Sequence, residues 1–204
     1  MNFMKEKKVE QTKSSISTVS GRFFDLLKPE EYGYDIEEIA HALSHICRYT
    51  GHSNSFYSVA EHSVLVSRLV PERLALCGLL HDASEAFVGD VSSPLKKLLP
   101  EYRDIEEGIQ RAISVHFGLE YPFPKEIHEA DKRMYWQERQ EIADNGIRDK
   151  LWHQDLRAAR KVEAKGMNPN MAKRMFMSRY NEIVKENDKR NEQGRRQEPS
   201  KAAA

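Results

Sequence analysis

At 204 residues the chain is long enough for one well-cored domain with a small appendage. Lysine plus arginine equal aspartate plus glutamate at 32 each, so net charge gives no reason to expect a nucleic-acid partner, which would need a local basic patch. No apolar run approaches the ~18–20 residues of a membrane span, and the first 18 residues lack the apolar core of a signal peptide.

Residues 1–17 are polar and read as a flexible N-terminus. "DIEEIAHALSHICRYTG" then places Ile36, Ile39, Ala40, Leu43 and Cys47 on one helical face, with Asp35 as the cap and Gly51 beyond the end. "SVAEHSVLVSRLV" opens with Ser58 and has Glu61 three residues on, a capping box. Val59, His62, Val66 and Leu69 fall close to one stripe, which turns His62 inward. "PERLALCGLLHDASEAF" starts on Pro71, suited to a first turn, and is apolar nearly all round, as a central helix should be. Gly89, Asp90 and Pro94 break the chain. "EYRDIEEGIQRAISVHFGL" reads as an amphipathic helix ending at Gly118, and "KEIHEADKRMYWQERQEIAD" as another. Further helices are expected at about 154–163 and over "MAKRMFMSRYNEIVKEN". No convincing alternating strand run and no internal repeat occurs. The expected fold is all-α with six to eight helices, a domain over 18–186 and a charged, disordered tail over 187–204. The two cysteines, Cys47 and Cys77, sit among apolar neighbours and read as buried thiols of a reducing, cytoplasmic compartment.

The chemistry concentrates in His62, the pair His81-Asp82, and Asp131. Two histidines and two carboxylates can hold one divalent cation and leave positions open for water or a phosphate oxygen. Such a donor set suits manganese, cobalt, zinc, iron or nickel better than magnesium. Adjacent His and Asp diverge by roughly 100° on an ideal helix, so the pair needs His62 and Asp131 to complete a site. Asp131 shares a face with Ile127 and Tyr135, and a carboxylate amid apolar positions needs a partner. On a continuous helix Glu85 falls on the face of both His81 and Asp82, placed to bond an activated water. Asp90, after Gly89, can hold a second water or protonate a leaving oxygen. Upstream, "ICRYTGHSNSFYSVAEHS" brings Arg48, Tyr49, His52, Phe56 and Tyr57 to the loop feeding the His62 helix. Arg48 can grip a phosphate and a tyrosine can stack on a base or sugar; Phe56 reads as core. Lys96 and Lys97 add phosphate-neutralising charge. His41 and His45 are spaced for zinc but lack a third ligand nearby; His116, His128 and His153 carry no pattern.

The string "AEHS…GLLHDASEA…GD…SPLK…EADK" resembles the HD-domain metal-dependent phosphohydrolases, over roughly residues 20–145. The branch it is most similar to contains bacterial deoxynucleoside 5′-monophosphate phosphatases and phage deoxyadenosine-triphosphate triphosphohydrolases. The resemblance implies His62, His81, Asp82 and Asp131 as ligands of a single divalent transition metal such as Mn, Co or Zn, and Glu85 and Asp90 as catalytic carboxylates. It implies Lys96 near the phosphate and Arg48 with its following aromatic against the nucleotide, where Tyr49 replaces the usual tryptophan. The implied activity is removal of the 5′-phosphate moiety from 2′-deoxynucleotides. A triphosphohydrolase would need further cations, with Lys132, Arg133, Arg103 and Arg111 as candidates. A non-catalytic nucleotide sensor is the competitor of another class; intact Glu85 and Asp90 argue against it. A homo-oligomer is expected by analogy, without a stable nucleic-acid or membrane partner.

Overall fold

A computed structural model of the chain describes residues 11–142 and 163–197. Eight α-helices occur among them: α1 (Ile36–His45), α2 (Val59–Leu69), α3 (Ala75–Leu79), α4 (Glu85–Val88), α5 (Ser93–Lys96), α6 (Pro100–Phe117), α7 (Lys125–Glu141) and α8 (Pro169–Gln197). The fold is all-α, as expected. None of these helices is long and apolar enough to cross a membrane.

The expected caps account for the helix starts. The Asp35 carboxylate accepts from Glu37 N (2.9 Å), and the Ser58 hydroxyl accepts from Glu61 N (3.2 Å), each satisfying a free amide of a first turn. Gly118 closes α6 in the left-handed region, φ 64°, where a side chain would be strained. The Glu61 carboxylate does not turn back onto its own helix as a full capping box would. It accepts from Lys165 N and Met167 N, both at 2.7 Å, and so anchors the segment that leads into α8.

The enclosed helix is α2. It packs against α1, α3, α7 and α8, and Val59 through Ser67 are all buried. The sequence assigns that place to "PERLALCGLLHDASEAF", apolar nearly all round. Polar residues on α2 hide its position in sequence: Glu61, Ser63 and Ser67 look like a solvent face. Two of them find internal partners instead; Ser67, for example, takes the Arg179 guanidinium of α8 on both its hydroxyl and its carbonyl (3.1 Å each).

The segment from Pro71 is not one helix. A 3-10 turn (Glu72–Leu74) leads into α3, the chain breaks over Leu80–Ser84, and α4 follows. The buried Gln110 of α6 bridges the break. Its amide nitrogen donates to Leu80 O and its amide oxygen accepts from Ser84 N, both at 3.0 Å, so the free ends of α3 and α4 are hydrogen-bonded without water.

Two short antiparallel strands, β1 (Ser15–Ser17) and β2 (Phe23–Asp25), also form, with Ile16 opposite Phe24. Three residues are too few to give an alternation that sequence could reveal. They form because Phe24 is fully buried and stacks on Phe87 with ring centroids 4.1 Å apart, pinning the hairpin to α4. β1 begins inside the segment expected to be a flexible N-terminus, and α8 continues through residues 187–197, expected as tail. The helix expected near 154–163 lies, save for its last residue, outside the described residues.

Candidate metal centre and its cavity

The break between α3 and α4 is what makes a site of the His81-Asp82 pair. Within the turn both side chains face the N-terminal half of α2, where His62 points inward, and Asp131 reaches them from the second turn of α7. His62 Nε2 lies 3.1 Å from Asp131 Oδ1 and 3.6 Å from Asp82 Oδ2. His81 Nε2 lies 3.2 Å from Asp82 Oδ2 and 3.9 Å from Asp131 Oδ1. His62, His81 and Asp131 form a possible metal site, with one donor atom of each within 4.8 Å of the others, and Asp82 stands beside them.

The imidazoles have chemistry suited to a cation. His81 Nδ1 is 3.0 Å from Gly78 O, a carbonyl that can only accept, so this nitrogen carries the proton. His62 Nδ1 is 2.5 Å from Glu138 Oε1. Each ring is thereby turned to aim Nε2 at the centre, and both Nε2 atoms are buried without a hydrogen-bond partner. A lone pair directed at neighbouring carboxylates, with the other nitrogen held by an acceptor, is how a metal-binding histidine is oriented. Two donors each about 2.1 Å from one ion stand roughly 3.0–3.4 Å apart at ordinary ligand angles, close to the shorter separations here. The residues fit a divalent transition metal. Without one, burial works against charge on both rings, yet Asp82 and Asp131 beside His81, and Glu138 and Asp131 beside His62, raise their pKa values. Asp82 and Asp131 are held below the carboxylate range by the same rings, against the effect of burial.

Arg48 approaches from the other side. The short 3-10 turn Arg48–Gly51 holds Tyr49 (φ 59°) and Thr50 (φ 53°) in the left-handed region, a strain of about 1–3 kcal/mol per residue that only surrounding contacts can sustain. The guanidinium is almost enclosed, with Nε 3.3 Å from Glu138 Oε2 and Nη1 3.6 Å from Asp82 Oδ2. Tyr49 and Tyr57 each donate a 2.7 Å hydrogen bond to Glu138. Burial opposes ionisation of Glu138, but the His62 and Arg48 charges and the donated hydrogen bonds bring its pKa down to about 2.

A cavity of about 310 Å³ opens from this centre, within the size range of small-molecule sites. Its wall includes Arg48, Asp82, Glu85, Asp90, Lys96 and Asp131, with the Tyr49 and Tyr135 rings. Glu85 enters it although its helix is not continuous with His81 and Asp82: as the first residue of α4 it bonds back through its amide to Asp82 O (3.0 Å). Its Oε2 is buried without a partner, and burial, then Asp82 and Asp90, push its carboxyl well up. Asp90 follows Gly89, which needs φ 78° to turn the chain, and burial raises its pKa too. Lys96 Nζ lies 2.6 Å from Glu106 Oε1 and 3.5 Å from Glu85 Oε1, and Tyr102 donates to Gly89 O (2.9 Å).

Lys97 and His52 are exposed and do not line the cavity. Lys132, Arg133, Arg103 and Arg111 do not line it either. Phe56 is half-buried, whereas Tyr57 is fully buried. His41 and His45 stack on one another, centroids 4.2 Å apart, away from the centre. Three residues of the assembly were missed in sequence. Glu138 had a legible signal, since it is seven residues, or two turns, beyond Asp131 on the same face of α7. Glu106 and Gln110 act across the fold, and their sequence neighbourhood gives no sign of it.

No family model matches the chain. It is 38% identical over 173 residues to an uncharacterized protein of Escherichia coli, YfdR, across 83% of this chain and 96% of that one. It is 38% identical over 124 residues to an uncharacterized protein of Rhodobacter capsulatus, across 56% of this chain and 63% of that one. A 97-residue stretch, 48% of this chain, is 31% identical to the 5′-deoxynucleotidase PM0747 of Pasteurella multocida, of which it spans 42%.

Proposed function

The chain belongs to the family of the Escherichia coli protein YfdR, and we propose that it is an HD-domain, metal-dependent phosphohydrolase that removes the 5′-phosphate from 2′-deoxynucleoside monophosphates. The observation that carries this reading is the pair of buried, unpartnered Nε2 atoms of His62 and His81 beside Asp82 and Asp131, two carboxylates that line a cavity with Glu85, Asp90, Arg48 and Lys96. Similarity to a 5′-deoxynucleotidase supports the substrate class.

His62, His81, Asp82 and Asp131 would hold the ion. A divalent cation supplies Lewis-acid polarisation of a phosphoryl oxygen and a more acidic water. Glu85 is the proton acceptor: it lines the cavity next to Asp82, and one of its carboxylate oxygens is buried without a partner. Asp90, with its pKa raised by burial, delivers a proton to the departing 5′-oxygen. Arg48 and Lys96 neutralise the phosphate and the charge that builds on it. The Tyr49 hydroxyl is committed to Glu138, so its ring offers the sugar an apolar surface.

The charge balance favours one phosphate over three. Two basic side chains line the cavity, each already within 4 Å of carboxylates, against four acidic ones. A divalent cation would bring that balance to zero, so one phosphate of about two negative charges already leaves the site negative, and each further phosphate makes it more so. A triphosphate would need more cations, and the four candidates read from sequence lie outside the wall. The test is the product spectrum from deoxynucleoside mono- and triphosphates and a ribonucleoside monophosphate, with metal-stripped protein supplied with Mn, Co or Zn. Inorganic phosphate from the deoxynucleoside monophosphate is expected. Triphosphate release from a deoxynucleoside triphosphate as the faster reaction would replace the reading, and no turnover with any metal would refute it.

A further inference from the structure

Glu138 lies outside the cavity wall and touches neither the proposed substrate nor the ion, yet both halves of the site end on it. One carboxylate oxygen, Oε1, takes His62 Nδ1 (2.5 Å) and the Tyr57 hydroxyl (2.7 Å). The other, Oε2, takes the Tyr49 hydroxyl (2.7 Å) and lies 3.3 Å from Arg48 Nε. These four groups come from α2, the residue before its cap, and the left-handed turn, while Glu138 itself stands on α7 two turns beyond Asp131. The carboxylate has no solvent exposure, so water cannot substitute for any of the four. Arg48 Nε is buried and lacks a hydrogen bond of good geometry, so the guanidinium is held to Glu138 by charge.

We propose that Glu138 is the positioning residue of this site: through Oε1 it fixes His62 with Nε2 toward the cation, and through Oε2 it holds the Arg48–Thr50 turn that presents the guanidinium to phosphate. The inference rests on the metal-centre reading above but not on the identity of the nucleotide. Glutamine has the same shape but must put an NH₂ group in place of one oxygen. Whichever way the amide turns, that group faces two donors, and one half of the site loses its acceptor.

The experiment measures binding as well as turnover, on metal-stripped full-length protein. Titration with Mn²⁺ gives the metal dissociation constant, and titration with inorganic phosphate at saturating Mn²⁺ gives the anion constant. For Glu138→Gln, Mn²⁺ binding weakened about 10–100-fold, the scale for loss of a ligand's supporting partner, or phosphate binding weakened comparably, with far-UV circular dichroism unchanged, is expected. A lower melting temperature with both constants unaltered would make Glu138 a structural residue and overturn the proposal. Tyr49→Phe, which removes only the hook on the turn, covers the case in which Glu138→Gln does not fold. Weaker phosphate binding with unchanged Mn²⁺ affinity is expected, and unchanged phosphate binding would overturn the assignment of Oε2. If the wild type binds Mn²⁺ and phosphate but hydrolyses no deoxynucleotide, the activity reading fails while these constants still decide the role of Glu138.

Discussion

Replacing Arg48 by alanine isolates the contribution of the cation opposite the metal centre. The guanidinium is 11% exposed and stands 3.3 Å and 3.6 Å from Glu138 and Asp82, so it is already desolvated and pre-placed at the cavity wall. A phosphate there would gain a charge-assisted contact without the cost of ordering a long side chain. Such a contact contributes about 1.5–3 kcal/mol, which at 1.4 kcal/mol per decade is roughly a tenfold to 150-fold loss in kcat/KM. The loss should fall mainly on KM, because Glu85, Asp90 and the ligands remain. Arg48→Lys should recover only part of it: one ammonium cannot face Glu138 and Asp82 from two sides as the fork does. Removing the cation also leaves Asp82 and Glu138 less compensated, so the melting temperature should fall as well, and the assay must be run at saturating metal on folded protein. A simple helix-capping role is not what the contacts describe, since α1 ends at His45 and the guanidinium turns to α7. Steady-state kinetics on one deoxynucleoside monophosphate decide the matter. Unchanged kcat/KM in both variants would remove Arg48 from the site.

Three further outcomes are expected. Asp82→Ala should lose both metal retention, measured by elemental analysis, and hydrolysis; near-normal metal content would remove it from the ligand set. Glu85→Gln should keep the metal and lose about two to four orders of magnitude in kcat, and metal lost in step with activity would make it a ligand instead. Glu38 is buried, which opposes ionisation, but hydrogen bonds from Thr18, Tyr32, Ser20 and Arg22 outweigh burial and lower its pKa below the ordinary 4.5. Its stabilisation is therefore complete above that value and is lost as pH falls through the lower folded value. Wild type should lose melting temperature more steeply than Glu38→Gln below about pH 4.5, and parallel curves would contradict the assignment.

Local chemistry was what the sequence made legible. Asp35, Ser58 and Gly118 act within a turn of where they stand, and all three helix limits follow from them. His62, His81, Asp82 and Asp131 stand out in sequence because few side-chain types can bind a metal, and the fold brings these four to within 4 Å of a neighbour in the set. Long-range partners were not legible. The α3–α4 break depends on Gln110, some thirty residues away, and without that partner the apolar run Pro71–Phe87 reads as one helix. Glu138 shares a face of α7 with Asp131, which is legible, but that Tyr49, Tyr57, His62 and Arg48 converge on it is seen only in the fold. His52 and Lys97 show the opposite error: proximity in sequence placed them beside Arg48 and Lys96, but the left-handed turn and the end of α5 leave both side chains exposed.

The central claim is that His62, His81, Asp82 and Asp131 hold one ion that is needed to release phosphate from a deoxynucleoside monophosphate. The most direct measurement is phosphate release from deoxyadenosine 5′-monophosphate by chelator-stripped protein, followed as Mn²⁺ is added back. The account predicts no turnover without metal and activity that saturates at one equivalent bound per chain, with neither the ion nor activity retained in Asp82→Ala. Turnover that persists after stripping, or that Asp82→Ala preserves, would contradict it.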